Sequence, residues 1–162
     1  MSVATVIAIQ IIMIFINAFF AGTEIAVISL NQTRLRKDAE DGDKIATKLV
    51  AMVDNPSSFL STIQICITLA GFLGAAFSAN VLSDHLVSIF VKLGLNWNIA
   101  LLNTISVVLI TIIISFFTLI LGELVPKRIA QQKPMGWARA AIRVLGVLAV
   151  FFKPMIWLLA AC

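Results

Sequence analysis

Charge is what this sequence has least of. Only 12% of its 162 residues are charged, about half the share of an ordinary soluble domain. Three stretches hold no charge at all: Ser2 to Thr23, Asn55 to Ser83 and Leu93 to Gly122. Cysteine is also scarce, and Cys66 and Cys162 form no CxxC pattern, so neither a disulfide framework nor a zinc site is supported. His85 is the single histidine, in a segment read as an outer, solvated loop. No Gly-rich phosphate loop, HExxH, GxSxG or nucleophile–histidine arrangement is present, so the chain is not read as an enzyme.

What the sequence has is apolar length. It is 60% hydrophobic with a mean hydropathy of +1.05, more apolar surface than a soluble fold of this size can hide. Each charge-free stretch exceeds the roughly 20 residues a helix needs to cross the hydrocarbon core. The expected architecture is an all-α integral membrane protein: one domain over 1–162 with spans at about 3–31, 57–80 and 98–122. A secretory signal in place of the first span would need a basic leader and a shorter apolar core, and neither is present.

Basic residues orient the spans. Arg34, Arg36, Lys37, Lys44 and Lys48 follow the first span, and Lys127, Arg128, Lys133, Arg139 and Arg143 follow the third. The opposite side holds Lys92 alone. The positive-inside rule then puts the N-terminus outside and the basic regions, with the C-terminus, in the cytosol of a cell-membrane protein. The net charge of +4 reflects topology and anionic lipid rather than nucleic acid.

Between the spans, Arg34 to Val53 has helical spacing broken at Asp41-Gly42-Asp43, which predicts two short helices and a turn. Asp54-Asn55-Pro56 reads as a stop, with Ser57 and Ser58 capping the second span. Val81 to Val91 predicts a separate short helix on the outer surface, and Trp97 suits an interface at the start of the third span. The fourth apolar segment is interrupted by Arg139, Arg143 and Lys153-Pro154, which favours a helix along the cytosolic interface over a fourth span. The apolar ending Met155 to Cys162 reads as a piece of a longer polypeptide.

Few residues could carry chemistry. Glu24 falls inside the first span, where an ionisable group is a functional candidate by default. Glu123 closes the third span, and Pro126 denies an N–H to the carbonyl of Gly122, which is expected to leave that oxygen free. Gln64, Thr68 and Gly71 share one face of the second helix. Carboxylates, hydroxyls, an amide and a freed carbonyl suit a hard cation. The plainer readings are that Glu123 pairs with Lys127 at i+4 and Glu24 with a loop arginine, and that the hydroxyls bond their own helices.

Three segments, FFAGTEIAVISLNQTRLRK (Phe19 to Lys37), STIQICITLAGFLGAAFSA (Ser61 to Ala79) and GELVPKRIA (Gly122 to Ala130), resemble the membrane domain of the CNNM/CorC family of magnesium and cobalt transport proteins. The resemblance implies three transmembrane helices followed by a belt-like juxtamembrane helix, here about 127–160. It also implies a homodimer continuing into cytosolic CBS domains. The implied activity is Mg²⁺ export, with Na⁺ as the coupling ion and alternating access around the acidic site. Carried over by position, the family's Gly-Glu-x-x-Pro motif matches Gly122, Glu123 and Pro126, and its Ser-Gly-Ser-Glu matches Ala21-Gly22-Thr23-Glu24. Its Gly-Asn-x-x-Val matches Cys66 to Ala70. Two ligand positions of the family are thus Ala21 and Ile67, which offer no side-chain oxygen. The candidate metal site is therefore Glu123, Thr23, Glu24, Gln64, Thr68 and Gly122. Two alternatives stand beside it: a non-transporting anchor and dimerisation module with a degenerate site, and a proton-coupled carrier using Glu24.

Overall fold

A computed structural model describes residues 2–94 and 98–151. Trp97, the Lys153-Pro154 break, the run from Met155 and Cys162 lie outside the described residues. The described chain is α-helical without a strand. Its helices are α1 (Val3–Ile28), α2 (Gln32–Glu40), α3 (Lys44–Asp54), α4 (Pro56–Lys92), α5 (Ile99–Leu119), α6 (Val125–Gln132) and α7 (Pro134–Phe151), with a π turn at Ile120–Leu124 joining α5 to α6.

Three helical stretches are long and apolar enough to cross a membrane: Val3–Ile28, Phe59–Lys92 and Ile99–Gln132. They expose large side chains such as Ile12, Phe15, Phe72, Ile112 and Phe116. In water such a surface would be an aggregation-prone patch, whereas in lipid it is the solvent-facing side.

The second span does not stop at residue 80. Nothing between Ala75 and Leu93 is glycine or proline, so the helix runs unbroken through the segment expected to form a separate outer helix. It ends where Gly94 takes φ +83° and its N–H bonds the Val91 carbonyl, the left-handed close that glycine allows cheaply. Its start also differs from expectation. Asn55 is the N-cap and Pro56 the first helical residue, with no side-chain cap, so Ser57 and Ser58 lie within the helix.

The expected helix-turn-helix between the first two spans is present. Asn31 caps α2 through Arg34 N–H, and Asp43 caps α3 through the N–H groups of Ile45 and Ala46. Gly42 turns the chain between them at φ +94°.

The third span is not closed by Glu123. Instead of ending near Pro126, the helix widens: Val125 N–H reaches back five residues to the Ile120 carbonyl. A π turn is a known way to absorb a break in the i→i−4 ladder. The continuation as one helix over 127–160 is interrupted as well, at Lys133 (φ −136°, ψ 61°), the residue before Pro134. The pre-proline position disfavours the α conformation.

The buried core gathers at the end of the bundle carrying the basic residues. Phe20 and Val27 of α1, Leu35 of α2, Ala46 and Leu49 of α3, Phe59, Ile63 and Cys66 of α4, and Ala138, Ala141, Ile142 and Leu145 of α7 form one cluster. The thiol of Cys66 is thus a small buried packing group. α7 therefore works as a strap, clasping α1, α3 and α4 together.

Candidate functional site

The site is built where α1, the π turn and α6 meet. Asn17 is 5% exposed and its Nδ2 donates to the Gly122 carbonyl at 3.3 Å. The oxygen that Pro126 deprives of a helical donor is thus partnered rather than free, because a neighbouring span supplies an amide. Gly122 has to lack a side chain for this approach: a Cβ there would stand 3.2 Å from Asn17 Nδ2 and 3.4 Å from the Ile14 carbonyl oxygen. Asn17 Oδ1 is buried without a hydrogen-bond partner.

One turn further along, Lys127 bridges two carboxylates from different spans. Its Nζ lies 2.8 Å from Glu123 Oε1 and 3.3 Å from Glu24 Oε2. The three side chains are a quarter to about a third exposed (29%, 36% and 25%). The i+4 pairing of Glu123 with Lys127 is present, and Glu24 shares the same ammonium rather than a loop arginine.

Two cavities open beside this triad. Glu24, Ser61 and Gln64 line one of about 340 Å³. Glu123, Thr68, Gln10, Ser115 and Thr118 line another of about 520 Å³. Within the second, Gln10 joins three helices: its Oε1 accepts from Ser78 Oγ at 2.7 Å, and its Nε2 faces Thr118 Oγ1 at 3.5 Å.

The six candidate residues therefore divide. Glu24 and Gln64 line one of the two cavities, and Glu123 and Thr68 line the other. Thr23 and Gly122 face helix contacts instead. The Thr23 side chain is fully buried; its hydroxyl donates to the Phe19 carbonyl at 2.6 Å and accepts from Trp137 Nε1 at 3.1 Å. Ala21 is fully buried and Ile67 packs on the main core, so these two positions serve packing. Among the described residues no three His, Cys, Asp or Glu side chains converge. A hard cation here would rely on the two carboxylates, neutral oxygens and its own water, which is how Mg²⁺ is commonly held.

Sequence reasoning did not find Trp137. Its indole covers Gly22, where a Cβ would fall 2.5 Å from Trp137 Cζ2, and thereby pins α7 to the acidic turn of α1. A contact between residues 115 positions apart has no local signature. Arg139 adds a second fastening through its ion pair with Asp43. The Ala46 and Ile45 N–H groups, and then this guanidinium, hold the Asp43 carboxyl below its ordinary range.

Three spanning helices with a carboxylate pair at one end define a multi-pass membrane domain. The family profile of the cyclin M transmembrane N-terminal domain matches residues 8–162, and the chain belongs to that family. Similar curated proteins include a UPF0053 protein of Synechocystis, 31% identical over 91% of this chain and 33% of its own length. The polyamine export protein of Haemophilus influenzae is 25% identical over 94% of this chain and 34% of its own. The UPF0053 inner membrane protein YfjD of Escherichia coli is 29% identical over 90% and 30%. The chain spans about a third of the length of the curated relatives it matches.

Proposed function

We propose that this chain is the membrane domain of a cation exporter, with Mg²⁺ as cargo and Na⁺ as the coupling ion. The observation that carries the reading is the Glu24–Lys127–Glu123 triad. Two carboxylates from separate spans converge on one cation at the end of the membrane-crossing stretch. In lipid such groups persist only with a partner or a cavity, and this pair has both. The two cavities offer oxygen donors from Gln64, Ser61, Thr68 and Ser115. A cargo ion would take the place of the Lys127 ammonium between the carboxylates, and alternate exposure of the two cavities would pass it on.

The occupant seen is itself a primary ammonium, which favours a second reading in which the cargo is an alkylammonium, as the name of the Haemophilus relative states for that protein. Thermal shifts of the purified chain in detergent separate the two. MgCl₂, spermidine and NaCl are compared at matched ionic strength in the native chain, Glu123→Gln and Lys127→Met. The magnesium reading expects a Mg²⁺-specific rise in Tm that Glu123→Gln abolishes. It also expects Lys127→Met, which removes the tethered competitor, to lower the half-saturating concentration about tenfold, the effect of roughly 1.4 kcal/mol. A spermidine-specific rise shifts the assignment to the second reading. No response to either cation overturns transport and leaves a membrane anchor and dimerisation module for a cytosolic region.

A further inference from the structure

A third cavity, of about 840 Å³, lies where α3, the start of α4 and α7 meet. It shares no residue with the two beside the carboxylates. Its volume falls within the range of sites that hold small ligands, about 300–1,000 Å³. Its walls are apolar: Phe59, Ile142 and Leu145 are buried and belong to the main core. Val147 and Val150, 71% and 74% exposed, carry the apolar surface outward along α7.

Its charged lining residues are Lys48 and Arg143. Neither has an ion-pair partner among the described residues. The nearby acids are already engaged: Asp54 pairs with Arg36 at 2.6 Å, and Asp43 pairs with Arg139. Two uncompensated cations thus stand over an apolar slot at the end of the bundle where basic residues accumulate. A soluble phosphate would gain nothing from the apolar walls, and a neutral lipid nothing from the cations. An anionic amphiphile uses both. Basic pockets between membrane helices are the usual setting for such headgroups.

We infer that this cavity binds an anionic phospholipid, its phosphate between Lys48 and Arg143 and an acyl chain along Phe59, Ile142 and Leu145. A lipid seated there bridges α3, α4 and α7, and so reinforces the strap that covers the acidic turn of α1.

The test is native mass spectrometry of the purified chain released from detergent micelles. The micelles contain phosphatidylglycerol or phosphatidylcholine with identical acyl chains. The expected result is phosphatidylglycerol retained with about thirtyfold preference, the worth of two basic contacts near an anionic surface. Lys48→Gln/Arg143→Gln should reduce retention to the phosphatidylcholine level. Gly146→Leu should abolish it while circular dichroism and melting in lipid-free detergent stay native: Gly146 lines the cavity and a Cβ there meets nothing within 4 Å. Equal retention of the two lipids overturns the inference. So does phosphatidylglycerol retention that survives both variants, and so does displacement of the lipid by excess inorganic phosphate, which would make this a free-anion site.

Discussion

The bond from Asn17 to Gly122 allows a quantitative test of how the third span tolerates Pro126. Asn17→Leu removes the Nδ2 donor from the Gly122 carbonyl, whose α-helical donor is already missing because residue 126 is proline. An orphaned buried carbonyl costs about 1–3 kcal/mol. The same substitution removes Asn17 Oδ1, which is buried without a partner and carries a penalty of similar size. The single variant is therefore expected to shift stability by only about 1 kcal/mol, a number that by itself decides nothing.

The coupling with Pro126 is decisive. Pro126→Ala restores an N–H that an α-type turn directs at the Gly122 oxygen, so a backbone donor backs up Asn17. Asn17→Leu should then cost less in the Pro126→Ala background than in the native one. The difference should approach the worth of one interhelical hydrogen bond in a membrane protein, about 0.6–1 kcal/mol. The lower part of that range is favoured by the 3.3 Å separation, slightly beyond the usual N–H···O distance. The four chains of this cycle can be unfolded by SDS in mixed micelles and followed by far-ultraviolet circular dichroism. Additivity within about 0.3 kcal/mol, or a coupling of opposite sign, would show that Asn17 does not serve the carbonyl that Pro126 frees.

Two further outcomes concern the strap. Gly22→Ala drives a methyl to 2.5 Å from the Trp137 ring, so the indole must move and its bond to Thr23 is lost; melting should register a cost of about 1–3 kcal/mol. Gly136→Ala, whose Cβ meets nothing within 4 Å, should be neutral or slightly stabilising, and a similar loss in both would refute the contact argument. Asp43 carries the pH dependence. Its carboxyl pKa lies below the ordinary value in the folded state, so its contribution is fully present above the unfolded value of about 4 and is lost as pH falls through the lowered one. Melting between pH 3 and 7 should show the native chain losing its advantage over Asp43→Asn below about pH 4, and a constant difference across that range would contradict it.

The charge-free intervals were enough to locate three spans, because removing a charge from water costs more than any local preference can offset. The turn at Asp41-Gly42-Asp43 was legible for a local reason, a positive-φ glycine between capping aspartates. Helix continuity was not. The polar residues Asp84, His85 and Lys92 mark where apolar solvent gives way to polar, but they do not stop a helix, and α4 meets neither glycine nor proline between Gly74 and Gly94. Pro126 shows the converse. The spacing indicated a break in the α-helical ladder at Gly122, but the carbonyl expected to be free is partnered: the helix widens into a π turn and Asn17, 105 residues away, supplies the donor.

The same distinction separates what was visible of the site from what was not. Glu24 and Glu123 stood out individually, since each is an acid at the edge of a charge-free run. That they share one ammonium depends on the packing of α1 against the π turn and α6, which places Glu24 within 3.3 Å of Lys127. Read locally, the Glu123–Lys127 pair is an i,i+4 surface bridge worth a few tenths of a kcal/mol, and a reason to discount the site. With Glu24 added, the same lysine becomes a tethered cation held between two spans. On the proposed transport reading a cargo ion would have to compete with it, so Lys127, the residue that made the plain reading attractive, is also the residue on which that reading can fail.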